Sequence, residues 1–262
     1  MHLLHGFLLK THIAIGLVAI IAFWIPVLAR KGGKSHVSTG KVFSWCMYAV
    51  SASALVMCVL VLVDPIGVVA PARDLDPDVA YSNAARLRTF AAFLLMLSIL
   101  VLSSTRHGLQ ALKLKHDATA LSGFGHRMML ATLLTTSAIV GYVGVSGGEV
   151  LLVVFAVLGI SGSTRMLRDS FRSEWSRGQM IFAHLQGLLG SGIGAYTAVF
   201  AFGGSRLLAQ LLPGQLQVIP WVLPSVIGII AIRRYKSRYI RKPAERPTPR
   251  AVPTVNPAFT EA

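Results

Sequence analysis

Thr11 to Tyr48 reads THIAIGLVAIIAFWIPVLARKGGKSHVSTGKVFSWCMY: an apolar run, a basic turn with one histidine, and a second apolar run. Ile13 to Ala29 is 17 residues without a formal charge, about the shortest helix that crosses a hydrocarbon core of about 30 Å at about 1.5 Å per residue. Arg30, Lys31, Lys34 and Lys41 follow in the turn, and such clusters stay on the cytoplasmic side of a membrane. This stretch therefore predicts a membrane hairpin and the direction of its threading.

The remaining composition agrees. Of 262 residues, 54% are hydrophobic and 13% are charged, where a soluble domain has about 25% charged residues. A net charge of +15 would point to nucleic acid in a soluble protein, but here the charges sit in gaps between apolar runs, mostly in alternate gaps. Cys46 and Cys58 lie 12 residues apart in one run, about 18 Å along a helix axis and too far for a disulfide within it. Both read as small core residues.

Working outward from the hairpin, the apolar runs predict seven transmembrane helices over 13–29, 42–63, 89–104, 128–147, 150–166, 180–202 and 218–232. Asp64-Pro65 stops the second, and Gly147-Gly148 makes a tight turn between the fourth and fifth. Val27, Leu28 and Ala29 resemble a signal-peptide cleavage site. Removal would leave the basic turn outside and invert every later loop, so a retained helix is the expectation. From Arg233 the chain carries eight basic residues and turns proline-rich, which reads as a disordered cytoplasmic tail over 233–262.

Charge tests the threading. Of the 25 Lys and Arg, all but Lys10, Arg73, Arg86, Arg88 and Arg206 fall in gaps of one side when the N-terminus is outside and the C-terminus inside. The expectation is an all-α polytopic bundle in a bacterial cytoplasmic membrane. Its partners are the lipid bilayer and, through the basic tail, anionic lipid at about 1 kcal/mol per residue. No nucleic acid is expected, because the tail interleaves no aromatics beyond Tyr235 and Tyr239.

No Asp, Glu, Lys or Arg lies in the middle of any run, which argues against a proton- or sodium-coupled transporter with a midplane ion site. Gly187, Ser191 and Ala195, and Gly190, Gly194 and Ala198, form two small-residue faces on the sixth run, suited to close helix packing. Pro220, Pro224 and Gly228 repeat at the same interval on the seventh, and the bend they imply could line a cavity.

Histidines form the most informative pattern. Each helix that starts inside is opened by a small residue and a histidine: Ser35-His36, Gly125-His126 and Ala183-His184. His107 follows the inward end of the third run. Four imidazoles at one depth are a donor set for zinc, copper or haem iron, and Arg106 and Arg127 adjoin two of them where haem propionates would lie. His36, His107, His126 and His184 are thus the candidate ligands of a haem or a transition metal. The competing reading is interfacial structure, since imidazole tolerates a membrane surface. His116 sits in mid-loop, and His2, His5 and His12 belong to the opposite face. Ser103 and His107 give an S-x-x-x-H spacing similar to zinc-dependent seven-helix hydrolases, but the later H-x-x-x-H and membrane aspartate of that pattern are missing. A nucleophile triad is also unsupported, because the acids of the histidine face, Asp117, Asp169 and Glu174, are expected in loops.

His12 with Gly16, the basic turn with His36, Gly40 and Lys41, His126-Arg127, and His184 with Tyr196-Thr197-Ala198 together resemble an uncharacterised group of bacterial multi-pass membrane proteins. In that group a His-Arg-x-x-Gly turn precedes the second helix; here the turn reads His36-Val37-Ser38-Thr39-Gly40 and lacks the arginine. The resemblance covers patches between Thr11 and Phe202. It implies the fold and the interest of the histidines, and no reaction. Two function classes follow. One is a haem or metal protein for electron transfer or redox sensing; the other is a non-catalytic carrier of a small neutral solute or an assembly partner. Whether the chain is an enzyme stays open.

Overall fold

A computed structural model of the chain describes residues 1–69, 76–203, 216 and 218–239. Among these the regular structure is entirely helical: α1 (His2–Leu28), α2 (Lys34–Val63), α3 (Pro65–Val69), α4 (Pro77–Lys113), α5 (Phe124–Gly147), α6 (Val150–Ser170), α7 (Arg177–Ala198) with a π-helical turn at Val199–Gly203, and α8 (Ile219–Tyr239). Six helices among the described residues are long and apolar enough to cross a membrane: α1, α2, α4, α5, α6 and α7 with its π turn. A multi-pass membrane protein is what these helices support. Of residues 218–232, expected as a seventh span, 219–232 lie in α8, which is not among the six.

The helices overrun the spans read from hydropathy. α4 has 37 residues, about 55 Å of helix against a hydrocarbon core of about 30 Å. It begins twelve residues before Thr89 and ends nine after Ser104. Leu109, Gln110, Ala111, Leu112 and Lys113 are strong helix formers that need no apolar run to continue the helix. α1 likewise takes in His2, His5 and His12. The basic segment after Ile232 is helical as far as Tyr239, and the remainder of the expected tail, 240–262, lies outside the described residues.

Local chemistry sets the turns. Lys31 Nζ donates to the carbonyls of Pro26 and Val27 at 2.9 and 2.5 Å, satisfying acceptors that the end of α1 leaves open. Gly32 at φ 78° then reverses the chain. Gly148 at φ 69° is the left-handed cap of α5, its N–H reaching Gly144 and Val145, and α6 starts two residues later. Ser176 and Gln179 close a capping box on α7, at 3.2 and 2.9 Å.

α4 is the hub, packed against α2, α5, α6 and α7; α1 and α2 form a hairpin, α5 and α6 another, and α7 also meets α1 and α8. Small residues set the approach. A Cβ on Gly187 would stand 2.5 Å from the Ser104 carbonyl and 2.7 Å from Gly108 Cα, so α4 and α7 cross backbone to backbone. This is the α7 face expected from Gly187 and Ser191, both buried. Phe93, Met96, Leu130, Leu133, Val140, Phe155 and Met166 fill the core between α4, α5 and α6. Large apolar side chains face outward: Leu3, Ile21 and Trp45 are all at least 70% exposed, whereas α1 buries only Ala19 and Ala22. Exposed large apolar side chains together with small residues at the helix crossings belong to a lipid solvent.

Candidate histidine site

The four histidines form two pairs. His107 stands in the last two turns of α4, and His126 is the third residue of α5. The ten residues between the helices turn tightly, with the Asp117 carboxylate accepting from Thr119 N–H and Oγ1 at 2.9 and 2.6 Å. Those bonds hold the Asp117 carboxyl below its usual range. The turn brings His107 Nδ1 to 3.1 Å from His126 Nε2. The rings are inclined by only 22°, with centroids 5.4 Å apart, and both residues are 1% exposed.

Asp169 completes the set from a third helix. It lies in the last turn of α6, with Oδ2 3.6 Å from His107 Nε2. Arg165 and Arg172 flank it at 3.8 and 3.7 Å. The sequence reading placed this acid in a loop, because the apolar run ends near Met166. Its missed signal is the i, i+4 spacing of Arg165 and Asp169, which puts them on one helix face.

Asp169 Oδ2 stands at ionic distance, just beyond hydrogen-bond length, and His107 Nε2 is buried without a hydrogen-bond partner among the described residues. A carboxylate facing Nε2 favours the tautomer with the proton there; in that tautomer His107 Nδ1 carries the lone pair and accepts from His126 Nε2–H across the 3.1 Å contact. His126 Nδ1, then a lone pair, is also buried without a hydrogen-bond partner among the described residues. One turn along α4 from His107, the Ser103 hydroxyl is likewise buried and unpartnered. Ser137 and Ser163, both fully buried, bring hydroxyls into the same α4, α5 and α6 core.

His36 and His184 form the second pair, ring centroids 6.5 Å apart at 70°. His36 Nδ1 bonds the Pro26 carbonyl at 2.9 Å, and His184 Nδ1 bonds the Gly108 carbonyl at 3.0 Å. The second bond depends on the Gly108–Gly187 crossing and ties this pair to the residue after His107. The four expected ligands thus fall into two pairs: His107 and His126 meet nitrogen to nitrogen, whereas His36 and His184 each bond a separate backbone carbonyl. Among the described residues no group of three or more His, Cys, Asp or Glu could hold a metal ion.

Arg127 NH2 donates to the Ser170 carbonyl at 2.8 Å, and its Cζ lies 4.1 Å over the Phe171 ring. It clamps the end of α6, the role a helix C-terminus offers a cation. Arg106 is half-buried on α4 beside His107. Toward the opposite end of the bundle His12 Nδ1 meets Ser53 Oγ at 3.0 Å and His2 Nδ1 meets the Val68 carbonyl at 2.7 Å, apart from the four. No family model, no curated protein and no solved structure matches the chain.

Proposed function

We propose that the chain is a seven-span integral protein of a bacterial cytoplasmic membrane, N-terminus outside and C-terminus inside, whose inner end relays protons through Asp169, His107 and His126. The observation that supports it is the alignment of Asp169, His107 and His126, drawn from α6, α4 and α5, at 3.6 and 3.1 Å, with both imidazoles buried and the Asp169 side chain 15% exposed at the end of the row. Imidazole can accept a proton at one nitrogen and release another from the second, so a proton arriving at His126 Nδ1 can leave at Asp169. Twenty of the 25 Lys and Arg support the threading, α8 supplying the seventh span and its basic end the contact with anionic lipid.

The test is proton flux into liposomes carrying the full chain and a trapped pH dye, driven by a potassium diffusion potential. The relay predicts flux above protein-free liposomes that falls by about 100-fold in His107→Phe and His126→Phe. Flux equal to empty liposomes, or unchanged in both variants, would refute it. A haem or metal serving electron transfer or redox sensing is the second reading. It draws on the other pair, whose Nε2 atoms have no hydrogen-bond partner among the described residues.

A further inference from the structure

His36 and His184 share a feature that the relay does not use. Each ring has Nδ1 against a backbone carbonyl, Pro26 for one and Gly108 for the other. A carbonyl only accepts, so both Nδ1 atoms carry the hydrogen and both Nε2 atoms present a lone pair. Neither Nε2 has a hydrogen-bond partner among the described residues. A backbone carbonyl on Nδ1–H is also the outer contact that orients a metal-ligating imidazole and raises its basicity.

Separation and composition narrow the ligand. With metal–nitrogen bonds of about 2 Å, two imidazoles on one ion have centroids about 5 Å apart at a tetrahedral angle and about 6.3 Å when linear; here they stand 6.5 Å apart, so a closure of a few tenths of an ångström brings them to a near-linear site. Both donors are neutral, and no third His, Cys, Asp or Glu completes the set among the described residues. A half-buried site without a compensating anion penalises a divalent ion more than a monovalent one. Imidazole suits zinc, copper, iron and nickel alike, so it is the charge argument that selects the monovalent ion, copper(I).

We propose that His36 and His184, brought together from α2 and α7 where the α1–α2 turn meets the α4–α7 crossing, form a two-imidazole site for copper(I). The ion binds both Nε2 atoms in an open, near-linear arrangement, with no change of oxidation state required. The site is independent of the proton relay, and either can fail alone.

The experiment is an anaerobic titration of the full chain in lipid nanodiscs with copper(I), against a chromophoric copper(I) chelator, followed by X-ray absorption. The expected result is one copper per chain with two nitrogen ligands. His36→Asn and His184→Asn keep an N–H donor near the Nδ1 position, preserve the carbonyl bond and the fold, and should each weaken copper by about 100-fold or more. His126→Asn should leave it unchanged. Absence of stoichiometric copper overturns the proposal, as does copper retained in the folded double variant or lost in His126→Asn. Haem copurifying on these two residues would overturn the choice of ion.

Discussion

His107 Nδ1 lies 3.1 Å from His126 Nε2, and both rings are closed off from solvent. Two imidazoles meeting nitrogen to nitrogen must share one hydrogen, so the pair has a direction. Asp169, 3.6 Å beyond His107, sets it.

Changing that acceptor should reverse or break the relay. Asp169→Asn removes the charge that faces Arg165 and Arg172 and offers His107 an N–H donor. Liposome proton flux is expected to fall by about 100-fold, with substantial recovery in Asp169→Glu, which restores a carboxylate. Equal flux in Asp169→Asn and the parent chain would remove Asp169 from the pathway.

The α4–α7 crossing leaves no room at Gly187, where an added Cβ would stand 2.5 Å from the Ser104 carbonyl. Backbone cannot yield as a side-chain end can, so Gly187→Ala should destabilise the bundle by about 1–3 kcal/mol in detergent unfolding. The shift should also stretch the His184–Gly108 bond. Gly6→Ala in α1, where nothing stands within 4 Å, serves as the neutral control.

Arg127 is placed as a clamp on α6. Arg127→Ala loses the Ser170 hydrogen bond and the Phe171 contact, at about 1–3 kcal/mol in the same unfolding assay. Arg127→Lys should recover only part, since an ammonium cannot keep both the bond to the Ser170 carbonyl and the planar stack on Phe171.

Threading can be read with single cysteines in a chain lacking Cys46 and Cys58. Ser38→Cys and Lys115→Cys, both at exposed positions of one bundle end, should resist an impermeant maleimide added outside intact cells. Glu149→Cys, exposed between α5 and α6, should react. The reverse pattern would invert the protein.

The histidine neighbourhood was legible because charge patterning ordered the loops by side, and short basic turns hold His36, His126 and His184 near one face. The pairing was not legible. It depends on the rotation of α4, set by the Gly108–Gly187 approach and by Met96 facing Gly159, where Met96 Sδ lies 3.6 Å from the added Cβ position. Asp169 and His107 were misplaced for one physical reason. Hydropathy reports where lipid ends, whereas the helix ends where caps and helix formers allow, at Ser170 and Lys113. The Gly148 turn and the small face of α7 were read correctly, since each rests on a local property of glycine.

The most direct test of the relay is solid-state NMR of ¹⁵N-histidine-labelled full chain in lipid bilayers at neutral pH. The account requires a hydrogen-bond coupling between His107 Nδ1 and His126 Nε2, abolished by His126→Asn, with the His126 Nδ1 signal at the shift of an unprotonated nitrogen. Absence of the coupling, with protons on Nδ1 of both rings, would contradict it.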